Sequence, residues 1–170
     1  TDGWLNHFNK AQGYTSTKSI YGNRLNSTLA GYVLSGEKYS DIRIVSMNIS
    51  LQLTEGTASI ALNRYIKNLY ITENGTKVGT LTADDFSRSG SMYSAIIPLT
   101  NAVVRSDQNT YFYITADTIE HIDSSNVDNT WTAMVNEIRY TNGANYTSVA
   151  SSIGDIGINS SINFHFVPTP

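Results

Sequence analysis

Apolar and polar residues alternate with a period of two along much of this chain. From Asp41 to Leu53, Met47, Ile49, Leu51 and Leu53 alternate with Asn48, Ser50 and Gln52, the spacing of a strand with one buried face. Ile42 and Ile44 have the opposite parity, so the phase changes near Val45 and Ser46, which predicts a bulge or a bend between sheets. Tyr65–Thr72 and Lys77–Thr82 flank Glu73-Asn74-Gly75-Thr76. Asn-Gly between two β-rich runs is the strongest short hairpin signal available. Thr57–Leu62 reads as a short strand before that hairpin. Met92–Leu99 and Thr110–Ile119 read as the next strands. In the second, Phe112, Ile114 and Ala116 share one face while Tyr111 and Tyr113 share the other, as in a central strand. Trp131–Tyr140 places Trp131, Ala133, Val135 and Glu137 on one face, and Ser161–Val167 alternates Ile162, Phe164 and Phe166 with Asn163 and His165.

Helical spacing is scarce. Ala83–Phe86 fits one helical turn. Trp4, Leu5 and Phe8 sit at helical spacing behind Asp2 as a cap, but the same stretch also reads as an extended arm. About eight antiparallel strands joined by Ser/Asn/Gly turns predict an all-β protein, a single β-sandwich of jelly-roll or immunoglobulin-like type. On this reading residues 1–18 form an N-terminal arm and residues 19–170 the sandwich.

Composition sharpens the picture. Charged residues make up 15% of the chain, against about 25% on average. Twenty Ser, 19 Thr, 17 Asn and 11 Tyr take their place. Richness in aromatic and β-branched residues argues against disorder. The net charge is −3, and no run of Lys or Arg occurs, so nucleic acid is not an expected partner. No apolar stretch approaches the roughly 18 residues that span a bilayer. The chain opens Thr1-Asp2-Gly3 without Met, which fits a protein exported to the cell surface after signal-peptide removal. Cys is absent, so stability rests on the core or on neighbouring subunits rather than on disulfides.

Catalytic patterns are missing. There is no Gly-x-Ser-x-Gly elbow, no phosphate-binding loop and no His-x-x-x-His pair, and His7, His121 and His165 are scattered. Asp84 with Asp85, or Asp117 with Glu120, would supply the two carboxylates of a glycosidase, but acids in β-rich loops are more often solvated turn residues. The expectation is a protein that is not an enzyme and holds no cofactor. One loop supplies oxygen ligands: Asp117, Glu120, Asp123 and Asp128 are weak calcium candidates, without EF-hand spacing.

Five Asn-x-Ser/Thr sequons mark N-linked glycan acceptors, at Asn26, Asn48, Asn74, Asn145 and Asn159. Composition alone predicts roughly four by the motif definition. Their placement is therefore more informative than their number. Asn48 faces away from Met47 and Ile49, Asn74 sits at the hairpin tip and Asn159 lies just before the last strand.

The stretch from Ile66 to Ile119 reads IKNLYITENGTKVGTL, then SAIIPL, then QNTYFYITADTI. It is similar to the β-sandwich modules of prokaryotic surface-layer and pilin-like proteins. With the composition and sequons, the chain resembles archaeal extracellular filament subunits of the thread or bundling-pilin kind. The resemblance implies an incomplete sandwich completed by a strand from the next identical subunit, an outer coat of N-glycans, and roles in adhesion or biofilm. Here the donor would be the segment from Thr1 to about Ser19, with Trp4, Leu5 and Phe8 as anchors. The alternative is that these three fold back onto their own core. The chain departs from type IV pilins and archaeal flagellins in having no long hydrophobic N-terminal helix. Two other readings stay open. One is a carbohydrate-binding or adhesin module whose sugar platform would use Tyr65, Tyr70, Tyr111, Tyr113 or a Trp. The other is a jelly-roll virion protein.

Overall fold

The computed structural model describes residues 5–14, 16–36, 41–142, 147–151 and 160–169. The described residues form strands β1 (Leu5–Lys10), β2 (Lys18–Tyr21), β3 (Ser27–Gly36), β4 (Ile42–Glu55), β5 (Ile66–Glu73) and β6 (Thr76–Thr82). They continue with β7 (Ser87–Ser89), β8 (Met92–Val104), β9 (Asn109–Thr118), β10 (Thr130–Thr141), β11 (Thr147–Ser151) and β12 (Ile162–Val167). Three short 3-10 turns complete them. The all-β sandwich expected from the sequence is present, with twelve described strands rather than about eight.

Sheet A has the order β1-β3-β9-β5-β6 and is antiparallel throughout. Sheet B runs β2-β12-β10-β4-β8-β7, and β11 pairs with the upper part of β10. Sheet B is not wholly antiparallel, because β2 lies parallel to β12. The inner faces meet in one core built around Trp131, Tyr32, Tyr65, Phe8, Phe112, Phe164 and Phe166. Tyr65 stacks on Phe166 with ring centroids 4.6 Å apart, and Trp131 meets both rings edge-on. Edge-to-face geometry places positive ring edges against negative ring faces, an attraction beyond area burial.

Bulges explain the breaks in periodicity. Against β10 the register of β4 slips between Ile44 and Ser46, so Val45 is the extra residue there, while β8 carries its own extra residues, Leu99 to Asn101, opposite the same place; Ile42, Ile44, Met47 and Ile49 all reach the core. Pro98 sits where β8 takes up that slip, a position that tolerates a missing N–H. A second slip, between Val135 and Glu137, rotates β10. Ile138 and Tyr140 therefore point inward, and Glu137 does not share the face of Trp131, contrary to simple alternation.

The hairpin has the predicted two-residue turn, with Asn74 and Gly75 at φ of 49° and 90°. Positive φ at both positions matches the right-handed strand twist. Thr57–Leu62, in contrast, is not a strand. Its N–H groups are taken by another loop: Ala58 N donates to the Asp128 carbonyl at 3.0 Å and Ser59 N to Asn126 Oδ1 at 3.0 Å. Ala83–Asp85 is the single helical turn expected, closed by a Thr82–Asp85 capping box.

Candidate functional site

The two regions with functional promise lie on sheet A: its β1 edge and its outer face. Residues 5–10 do not project from the sandwich. They pair antiparallel with β3, and Leu5 and Phe8 lie in the chain's own core at 4% and 1% exposure. Their helical-looking spacing has a β explanation. A register shift between Leu5 and His7 lets residues three apart share the inner face. Phe8 packs on Tyr32 with centroids 5.1 Å apart, and Ala11 N donates to the Gly31 carbonyl at 2.8 Å to close the edge. Trp4, the third expected anchor, lies outside the described residues.

The outer face of sheet A is polar and aromatic. Alternation along β9 turns Tyr111, Tyr113, Thr115 and Asp117 outward, and the facing residues of β5 are Thr72, Tyr70 and Asn68. Asp117 anchors this face. Its Oδ2 accepts from Tyr70 OH at 2.6 Å and from Asn68 Nδ2 at 3.2 Å, and its Oδ1 accepts from Asn26 N at 3.0 Å. Burial pushes the Asp117 carboxyl up, but these donors and the charge of Lys77 outweigh burial and hold it below the usual carboxylate value. The same bond, together with burial, raises the Tyr70 hydroxyl. Lys77 Nζ stands 3.7 Å from the Tyr70 ring centre.

Beside this cluster lies a groove of about 510 Å³. Its floor includes Thr28, Thr72 and Thr115, and Tyr14, Tyr113 and Lys77 line it further. Tyr14 comes from the β1–β2 connection and packs on Tyr113, with centroids 6.2 Å apart. Gly31 makes room for both rings, because a Cβ there would fall 2.7 Å from Tyr113 and 2.8 Å from Tyr14. Thr115 is 6% exposed, and its Oγ1 has no hydrogen-bond partner.

Of the other aromatics weighed as a sugar platform, Tyr65 and Trp131 are interior, and Trp4 lies outside the described residues. Tyr65 and Trp131 are fully buried, and the Tyr65 hydroxyl donates to the Ser59 carbonyl at 2.6 Å while burial pushes its pKa up to about 12. The four calcium candidates are not brought together. Asp123 accepts from Ser125 N at 2.8 Å, Asp128 from the Thr57 hydroxyl at 3.2 Å, and Glu120 stands 4.0 Å from Lys67, all apart from Asp117. Among the described residues no group of three or more His, Asp or Glu is placed to hold a metal ion. His165 Nε2 lies 2.7 Å from Ser19 Oγ, away from His7 and His121.

The sequons divide. Asn26 and Asn74 are exposed in turns at φ of 55° and 49°. Asn48 is half-buried on central strand β4, with its Oδ1 fully covered and unpartnered, so it is less accessible than alternation predicts. Asn145 and Asn159 lie outside the described residues. No helix of the described residues is long and apolar enough to cross a membrane.

Sequence reasoning found Tyr70, Tyr111 and Tyr113 but missed Tyr14, Lys77 and the threonine floor. The outward run Tyr111, Tyr113, Thr115, Asp117 was visible in the alternation of β9. Tyr14 was not, because it reaches the face from a connection.

No family model matches the chain. No curated protein matches it either. Among solved structures it is similar to AvmM, which catalyzes macrocyclization in alchivemycin A biosynthesis, at 6% identity and a TM-score of 0.44 over 99% of this chain and 90% of that one. It is similar to the CssB subunit complemented with a donor strand from CssA, of the enterotoxigenic Escherichia coli colonization factor CS6. There the identity is 10% and the TM-score 0.37, over 98% of this chain and 97% of that one. It is also similar to BcpA, the major pilin subunit of Bacillus cereus, at 10% identity and a TM-score of 0.30, over 98% of this chain but 41% of that one.

Proposed function

We propose that this chain is a structural, non-catalytic subunit of an extracellular filament, and that identical subunits are joined by exchange of β1. The observation that carries this reading is the position of β1. Among the described residues it is an edge strand with one hydrogen-bonded neighbour, β3, yet it delivers Leu5 and Phe8 to the core. Withdrawing it would leave β3 as an open edge above an apolar slot lined by Tyr32 and Leu34, the template an extended segment adds to.

Exchange keeps every contact and changes only which subunit supplies it. The balance between the self-filled and exchanged forms is therefore set by the 11–17 connection and by subunit concentration. Donation from each subunit to the next is heterologous and does not close on itself, so it yields a fibre. The absence of Cys and the low charge of the chain suit stability shared with neighbours. N-glycans at Asn26 and Asn74 would project from turns rather than from the β1–β3 seam, where they would block assembly.

The test is refolding from denaturant at low and at high concentration, followed by light scattering and negative-stain microscopy. The full chain is expected to stay monomeric when dilute and to form fibres when concentrated. A variant lacking residues 1–10 is expected to form none. Fibres that survive that deletion would overturn exchange of β1.

A further inference from the structure

We propose that the groove on the outer face of sheet A binds a pyranose ring of a glycan. The ring would lie against Tyr113 and be held through the hydroxyls of Thr28, Thr72 and Thr115. A pyranose is amphipathic: its C–H face prefers a flat aromatic ring, and its hydroxyls need short polar partners close to that ring. The groove supplies both within about 510 Å³. Tyr113 and Tyr14 provide the aromatic wall and the three threonines the polar floor.

The Thr115 hydroxyl is the second, independent observation. Buried hydroxyls are nearly always partnered, yet Thr115 Oγ1 is covered and has no partner, at the floor of the groove. A turn about the Thr115 χ1 would bring this covered hydroxyl to the groove that its residue lines, where a ligand hydroxyl would satisfy it. The surrounding groups are arranged to hold the site rather than to react. Asp117 has both oxygens occupied by Tyr70, Asn68 and Asn26, so it positions Tyr70 and is not free to bind a sugar. The Lys77 ammonium stands over Tyr70 at the rim and would accept a carboxylate substituent on that side of the ring.

Two sources of the sugar share this chemistry. One is a glycan from another molecule. The other is an N-glycan of the chain itself, because Asn26 and Gly75, the neighbour of Asn74, both line the groove.

The test begins with the bare chain, made in a host without N-glycosylation and titrated by NMR with neutral and uronic methyl pyranosides and short oligosaccharides. Shifts centred on Tyr113 and Thr115 are expected. Tyr113→Ala should weaken binding about three- to tenfold, the effect of one lost aromatic contact. Thr115→Val keeps the shape and removes the unpartnered hydroxyl. It should weaken binding at least about fivefold while leaving the melting temperature unchanged or higher. A purely structural threonine would give the opposite pattern, lower stability and unchanged binding. No shift with any sugar at millimolar concentration, or binding indifferent to both variants, would overturn the proposal.

Repeating the titration on N-glycosylated chain separates the sources. Persistent binding assigns the groove to another molecule's glycan. Loss that Asn26→Gln or Asn74→Gln restores assigns it to the chain's own. None of these outcomes depends on exchange of β1.

Discussion

The two edges of sheet A are held in different ways. At one edge, β6 is tied to β5 by a two-residue turn and covered by β8. Gly79 lies so close to β8 that a Cβ would fall 2.6 Å from Leu99 and 2.9 Å from Ile97. Glu73, at the hairpin base, accepts from Val103 N at 2.9 Å. At the other edge, β1 has no local turn joining it to β3, its one hydrogen-bonded strand neighbour among the described residues. Its hold is the burial of two side chains and a short ladder. An edge fixed by local sequence stays with its own chain. An edge fixed only by a fit can be supplied by any copy.

The largest effect is expected from Phe8→Ala. Emptying this buried site should cost about 3–5 kcal/mol in urea unfolding and abolish assembly. Next, Gly79→Val should drive the added side chain into Ile97 and Leu99 and cost about 1–3 kcal/mol, without affecting assembly. Equal loss of fibres from both variants would erase the distinction between the edges.

Asp117→Asn acts between the edges and should cost about 1–2 kcal/mol, because hydrogen bonds to a charged acceptor are stronger than neutral ones. The Asp117 carboxyl is held below its ordinary value, so its contribution is present above the unfolded carboxylate pKa, about 3.9. It is lost as pH falls through the folded pKa. Thermal melts of the parent should therefore weaken more steeply on acidification than melts of Asp117→Asn. The smallest effect is expected at Gly75→Ala, where φ of 90° penalises a Cβ by about 1 kcal/mol. It should loosen the hairpin and leave β1 untouched.

Much of the locked edge was legible in the sequence. Asn74-Gly75 set the turn, and the parity change at Val45 marked a bulge that the structure contains. The β1 edge was not legible, because a bulge in β1 gave Leu5 and Phe8 a helical spacing. β3 escaped notice for a related reason. Gly31 and Gly36 interrupt it, and a shift between Thr28 and Ala30 breaks its alternation. Thr57–Leu62 looked like a strand because strand propensity says nothing about a distant loop that takes its hydrogen bonds. Half of the groove was readable, from Tyr113 and Thr115 on β9. Tyr14 and Lys77 were not, since only the folded connection and the sheet order bring them there.

The most direct measurement uses the absence of cysteine. Asn9 and Val33 are directly paired across β1 and β3, at a separation that antiparallel neighbours share with disulfides, roughly 4.5–5.5 Å between Cα atoms. The double variant Asn9→Cys, Val33→Cys can be oxidised after assembly and run on a non-reducing gel. Exchange of β1 predicts a covalent ladder of multimers from concentrated protein and a cross-linked monomer from dilute protein. Fibres that dissociate entirely into cross-linked monomers would contradict it.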